Sequence, residues 1–134
     1  MKSTEHAVVG AVVSAIGALA SGERFSRSAK VLLWCYGVFL SVFIDLDHFV
    51  LARYKTGNWK WLFEAISHPK KAFSDPEWLF KDVPMVSERL LSHAVIGSVL
   101  TLFLLVITPF VAVFTAVVVY AHILCDLLRD AEIT

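Results

Sequence analysis

Apolar residues in this chain fall in long blocks rather than in the two-residue alternation of half-buried strands. Four blocks stand out, at roughly 6–20, 31–52, 90–107 and 110–128. A helix needs about 20 residues to cross the hydrocarbon of a bilayer, with about 17 as the lower limit. The second and fourth blocks meet that length. The first and third reach it only with their polar leading turns. "SGERFSRSAK" joins the first pair of blocks, and little more than Thr108-Pro109 joins the second pair. Proline suits a first helical position, where an N–H would have no partner. Connections this short predict two antiparallel helix hairpins.

The stretch between the hairpins, about 53–89, has a different character. "NWKWLFEAI" mixes Trp59, Trp61, Leu62, Phe63 and Ile66 with Lys60 and Glu64. It is too short and too charged to span. Tryptophans flanked by lysines suit the bilayer interface. Pro69, Pro76 and Pro84 divide this insert into short pieces. The first block has a rival reading. Its early lysine, apolar run and Ala18-Leu19-Ala20 match a cleaved signal peptide. Glu5 and His6 fit that reading badly.

An internal repeat argues against it further. "HAVVGAVVSA" from His6 and "HAVIGSVLTL" from His93 share histidine, alanine, valine, glycine and a second valine in register. Asp45 of "DLDH" aligns with Asp126 of "DLLRD". The pattern reads as a duplicated helix hairpin. The expected architecture is therefore an all-α membrane four-helix bundle in a single domain, 1–134. Hairpin 1 occupies about 3–52, the interfacial amphipathic insert about 53–89, and hairpin 2 about 90–128.

Composition agrees with a membrane setting. Apolar residues make up 57% of the 134, above the range of ordinary soluble domains. Formal net charge is zero, so nucleic acid is not an expected partner. Cys35 and Cys125 each sit in an apolar block and read as small buried hydrophobes.

The polar residues inside the blocks raise the chemical question. His6 starts the first helix, Asp45, Asp47 and His48 close the second, His93 starts the third, and His122 and Asp126 close the fourth. In antiparallel hairpins all of these lie at one end of the assembly. Asp45 and His48 (i, i+3) share a helix face, as do His122 and Asp126 (i, i+4). Gly10 and Gly97 lie one turn below His6 and His93, where a small residue lets a neighbouring helix approach. At about 100° per residue, Asp47 points away from both Asp45 and His48. It reaches the others only if the helix end unwinds. Imidazoles and carboxylates are ligands of zinc, iron and manganese. A divalent cation would also relieve the cost of carboxylates at a membrane boundary. Zinc is the leading choice, as one or two ions, with manganese or iron as substitutes. Mutual Asp–His ion pairs and a proton relay are the alternatives. His68, in "ISHPKK", reads as an ordinary surface histidine.

The series His6-x-x-x-Gly10, Asp45-Leu46-Asp47-His48, Arg89-x-x-Ser92-His93 and His122-x-x-x-Asp126 resembles the motifs of the YdjM-like family. Those are LexA-regulated inner-membrane proteins classed as metal-dependent hydrolases. The resemblance covers most of the chain outside the insert. It implies a helical metal site distantly similar to that of zinc-dependent phospholipase C and its nuclease relatives. Carried over by position, His6, Asp45, His48, His93, His122 and Asp126 are candidate metal ligands, with Asp47 a ligand or a neighbour of one. The family pattern before the third helix is His-Arg-x-x-Thr-His. This chain has Glu88-Arg89-Leu90-Leu91-Ser92-His93, so Glu88 stands in place of a histidine.

The leading expectation is a membrane-embedded, metal-dependent hydrolase of phosphoester, lipid-like substrates. Two metals about 3.5–4 Å apart are common in such chemistry. Glu88 or Asp47 is the candidate general base and Arg89 the candidate phosphate holder. The expected partners are membrane lipids and a phosphoester or lipid headgroup, with a homo-oligomer allowed. A metal or proton transporter or sensor is the second reading, and a non-catalytic adaptor with a structural metal site the third. The expected location is a prokaryotic inner membrane or its equivalent. Lys2, Arg53, Lys55, Lys60, Lys70, Lys71, Lys81, Arg89 and Arg129 lie on the site side, against Arg24, Arg27 and Lys30 opposite. The positive-inside bias therefore puts the site in the cytoplasm.

Overall fold

The long apolar blocks fold as helices although they are rich in valine, and the described residues are helical nearly throughout. The computed structural model describes residues 3–133; Lys2 lies outside them. Helix α1 spans Ser3–Ala20 and α2 spans Arg27–Phe43, with a 3-10 turn, Gly22–Arg24, between them. A second 3-10 turn, Ile44–Leu46, leads into α3, Asp47–Thr56. Three short helices follow: α4 (Lys60–Ser67), α5 (Pro69–Ser74) and α6 (Pro76–Phe80). Two long ones end the chain, α7 (Val86–Ile107) and α8 (Pro109–Ile133). No strand occurs among the described residues.

Local chemistry marks the boundaries. Ser26 caps α2, its side chain accepting from the Ala29 N–H at 3.2 Å. Pro69, Pro76 and Pro109 each open a helix at its first position. Gly57 ends α3 with φ of 79°, and its N–H bonds back to the Arg53 carbonyl. Three stretches, Arg27–Thr56, Val86–Ile107 and Pro109–Ala131, are long and apolar enough to cross a membrane; the apolar helix Thr4–Ala20 is shorter.

Helix α1 packs along α2, and α7 along α8. Helix α8 also contacts α1 and α2, so it is the axis that joins the hairpins. Helix α7 meets the first hairpin mainly through α3. Small residues set the close approaches. A Cβ on Gly10 would lie 2.5 Å from the Ser41 Cβ, and one on Gly97 would collide with Val119. Each glycine below a leading histidine is thus the crossing point with the next helix. Leu33, Gly37 and Ser41 form the buried stripe of α2 at i, i+4, i+8. Ala18, Leu33, Phe114 and Val118 fill the core at the end away from the histidines.

Two expectations need correction. Block two does not run as one regular helix to 52; it tightens at 44–46 and continues to Thr56. Nor are both cysteines buried. Both are free, Cys35 exposed and Cys125 half-buried. Cys35 lies two residues from Leu33, about 200° around the helix and off the buried stripe.

The insert folds against the α3–α7 junction. Trp61 and Phe80 pack on Ala52, Val83 and Met85. Lys55 on α3 donates to the Pro84 carbonyl. It also pairs with Glu88 Oε1 at 2.5 Å, which ties the start of α7 to α3.

Candidate metal centre

Helix-end histidines and carboxylates converge where the hairpins meet. His6, His93, His122 and Asp126 are essentially inaccessible, at 0–1% exposure. His6 Nε2 lies 3.2 Å from Asp126 Oδ1 and 3.8 Å from Asp45 Oδ2. His122 Nε2 lies 3.2 Å from Asp45 Oδ1 and 3.5 Å from Asp126 Oδ2. The His6 and His122 rings stack at 3.9 Å. On the other side of Asp45, its Oδ1 is 3.5 Å from His93 Nε2 and 3.6 Å from His48 Nε2. Two groups therefore form: His6, Asp45, His122 and Asp126, and Asp45, His48 and His93. Within each, one ligand atom per residue lies within 4.8 Å of all the others. Asp45 belongs to both.

These spacings suit a cation. Tetrahedral zinc bonds of about 2.0–2.1 Å place ligand atoms about 3.3 Å apart. The tautomer of His122 points the same way. Its Nδ1 is 2.9 Å from the Ser41 carbonyl, an acceptor only, so Nδ1 carries the proton and donates it. In the neutral ring, Nε2 then presents a lone pair to two carboxylates. Two acceptors face to face repel unless a cation or a proton lies between them. A histidine that spends its far N–H on a backbone carbonyl is also the usual arrangement around a bound metal. His48 Nε2 makes no hydrogen bond either, although it is buried and directed at Asp45 and Asp47. The residues fit a metal, and the buried cluster could hold one.

Asp47 reaches the cluster through a tightened turn and not through an unwound helix end. Because residues 44–46 are 3-10, Asp47 swings in and its Oδ1 lies 3.2 Å from His93 Nε2. The Ser92 hydroxyl donates to its other oxygen. A 3-10 stretch inside a long helix often marks a hinge or a sequence under strain. Arg89 is also present, one turn before His93. Its Nη2 pairs with Asp130 Oδ2 at 2.6 Å, and its Nε lies 3.7 Å from Asp126 Oδ2.

Glu88 is not brought in. It is five residues before His93, about 140° around α7. Its carboxylate is 45% exposed and held by Lys55. Of the two residues expected as a base, Asp47 stands at the cluster and Glu88 does not. His68 stays outside as well, exposed and against Trp78.

Two contributors escape a reading of the sequence. Ser41 is buried; its hydroxyl donates to the His6 carbonyl at 2.8 Å while its own carbonyl takes His122. One residue thus places both histidines. It stands one turn before Asp45, on the same helix face, which was its only visible signal. Asp130 stands one turn after Asp126 and fixes Arg89.

The cluster opens at Asp45 and His48. These line a cavity of about 390 Å³ whose wall includes Lys81 and Arg89.

Comparison of the chain with protein-family models, curated proteins and solved structures returned no match. The class defined here is thus an all-helical protein with three helices able to cross a membrane and a buried His/Asp cluster able to hold a metal ion.

Proposed function

We propose that the protein is a membrane-embedded, metal-dependent hydrolase of phosphoester substrates, built as a four-helix bundle from two related hairpins. The observation that carries this reading is the convergence on Asp45. One carboxylate is shared by two ligand groups and lines a cavity at which the cluster opens, with Lys81 and Arg89 in its wall. Asp45, Asp47 and Asp126 bring three carboxylates, while Arg89 is matched by Asp130. Two divalent ions suit that charge better than one, and zinc is the favoured metal.

A bound ion of this kind supplies Lewis acidity and acidifies water at the site. The protein's own residues do the rest. Ser41 orients His6 and His122. Ser92 holds one oxygen of Asp47, leaving the other toward His93 and the cluster to accept a proton from an attacking water. Arg89 and Lys81 set positive charge beside the opening, where a phosphate would enter. The motif resemblance to the YdjM-like family supports the same reading, and the lysine-rich insert favours a cytoplasmic site.

Transport is less well supported, because the ligands gather at one end of the helices instead of at a midplane. The test is metal analysis of purified protein joined to a phosphodiester screen. His93→Ala and Asp126→Asn should lower both metal content and hydrolysis. Full metal content without turnover on any phosphoester would favour a structural site.

A further inference from the structure

A second cavity meets the same two residues. It measures about 350 Å³ and has Asp45 and His48 at one end. Its remaining wall is almost wholly apolar, and Leu62, Ala65, Ile66, Phe73, Leu79 and Phe80 of the insert form much of it. Val42, Phe43 and Leu46 form the other side, and these belong to a stretch able to cross a membrane. Asp45 and His48 thus sit between an apolar groove on one side and a cavity lined by Lys81 and Arg89 on the other.

We propose that this groove binds one hydrocarbon chain of an anionic single-chain lipid phosphate, with its head at Lys81 and Arg89. Three observations select that occupant. The groove is continuous with the candidate centre through Asp45 and His48. The adjoining cavity offers a phosphate the Lys81 ammonium and the guanidinium N–H donors that Arg89 does not spend on Asp130. The volume lies at the small end of ligand pockets, about 300–1,000 Å³, which suits one chain and not two. The groove also gives the insert a role beyond interfacial anchoring. Its exposed apolar residues, such as Phe63 and Ile66, would keep the groove mouth against lipid. This inference rests on the proposed centre only for where the head lies.

The test is photolabelling of the full chain in nanodiscs with dodecyl phosphate carrying a diazirine near the chain end. The matching dodecanol serves as the uncharged probe. The phosphate probe should label peptides within 62–80 about tenfold more strongly than the alcohol, the gain from one or two charge-assisted hydrogen bonds. Ala65→Trp and Ala72→Trp, which fill the groove, should each lower that labelling about tenfold. Ala29→Trp, in an apolar cavity between α2, α7 and α8, should not. An unchanged thermal midpoint shows that each variant is folded. Equal labelling by the two probes, labelling spread over the outer faces of α7 and α8, or indifference to both groove variants would overturn the proposal. Labelling needs no turnover. Specific labelling without hydrolysis would therefore remove the hydrolase reading and leave the groove, and hydrolysis with indifferent labelling would do the reverse.

Discussion

Adding one methyl group at Gly10 should damage the candidate centre more than it damages the fold. Gly10→Ala places a Cβ 2.5 Å from the Ser41 Cβ and 2.6 Å from its Oγ. Carbon atoms prefer about 3.5–4.0 Å, so α1 and α2 must separate by about 1 Å or more. Overpacking of this kind costs about 1–3 kcal/mol. Alanine recovers about 0.8–1.0 kcal/mol of that through helix propensity. The net loss of stability is then roughly 0–2 kcal/mol, and the chain should still fold. The site has far less tolerance. Ser41 fixes the His6 carbonyl and the His122 ring at once. Metal–ligand distances hold to about 0.2 Å, so a shift of about 1 Å misplaces both histidines relative to Asp45 and Asp126. Affinity at the His6 group should fall about 10–100-fold, the range seen when residues supporting metal ligands are lost. Competition against a graded chelator, read by elemental analysis, measures this. The thermal midpoint of the same sample measures folding. Ser41→Gly in the same chain removes the clash and keeps the carbonyl that holds His122 but not the hydroxyl that holds His6, so the double variant should regain part of the lost affinity. Unaltered metal affinity in Gly10→Ala, or no recovery in the double variant, would refute the reasoning.

Three further outcomes follow from named contacts. Glu88→Gln should leave turnover and metal content near the wild-type values and change the thermal midpoint little, since its pair with Lys55 is solvent-screened; a turnover loss of tenfold or more would return Glu88 to the chemistry. Ser92→Ala removes the hydroxyl that donates to Asp47, so phosphoesterase turnover should fall about 10–100-fold while metal content stays; equal turnover would leave Asp47 without a role as base. Gly57→Ala forces a side chain to φ of 79° and should lower stability by about 1–2 kcal/mol, seen in the thermal midpoint, with metal binding unchanged.

Helix positions and the shared end of the polar groups were legible because they depend only on block length and topology. Any antiparallel hairpin that begins at His6 and ends at Asp45 brings those residues level. The i, i+3 and i, i+4 spacings then select faces, as seen for Asp45 with His48 and His122 with Asp126. Asp47 shows where such reasoning stops. A regular helix turns it away, and only the 3-10 turn at 44–46 brings it to His93. Ile44 is buried at that turn and α3 meets α7 just beyond it, features that periodicity does not display.

Ser41 and Asp130 show a second limit. Their importance lies in a backbone carbonyl and in a partner's partner, neither of which a ligand pattern displays. Glu88 is the opposite case. Its angle of about 140° from His93 already separates it from the cluster, whereas its place in the motif suggested a role. Helix geometry was the better guide there. The asymmetric seating of α7, packed on α8 and reaching the first hairpin mainly through α3, depends on residue shapes along α8 and had no signature in the blocks.

The central claim is that the His/Asp cluster is a metal centre. Elemental analysis of wild-type protein, purified without added metal or chelator, tests it most directly. About one to two transition-metal ions per chain are predicted, with zinc leading, falling to near zero in a folded His93→Ala, Asp126→Asn double variant. A folded wild-type chain that carries no metal and takes up none on titration with zinc, manganese or iron would contradict the claim.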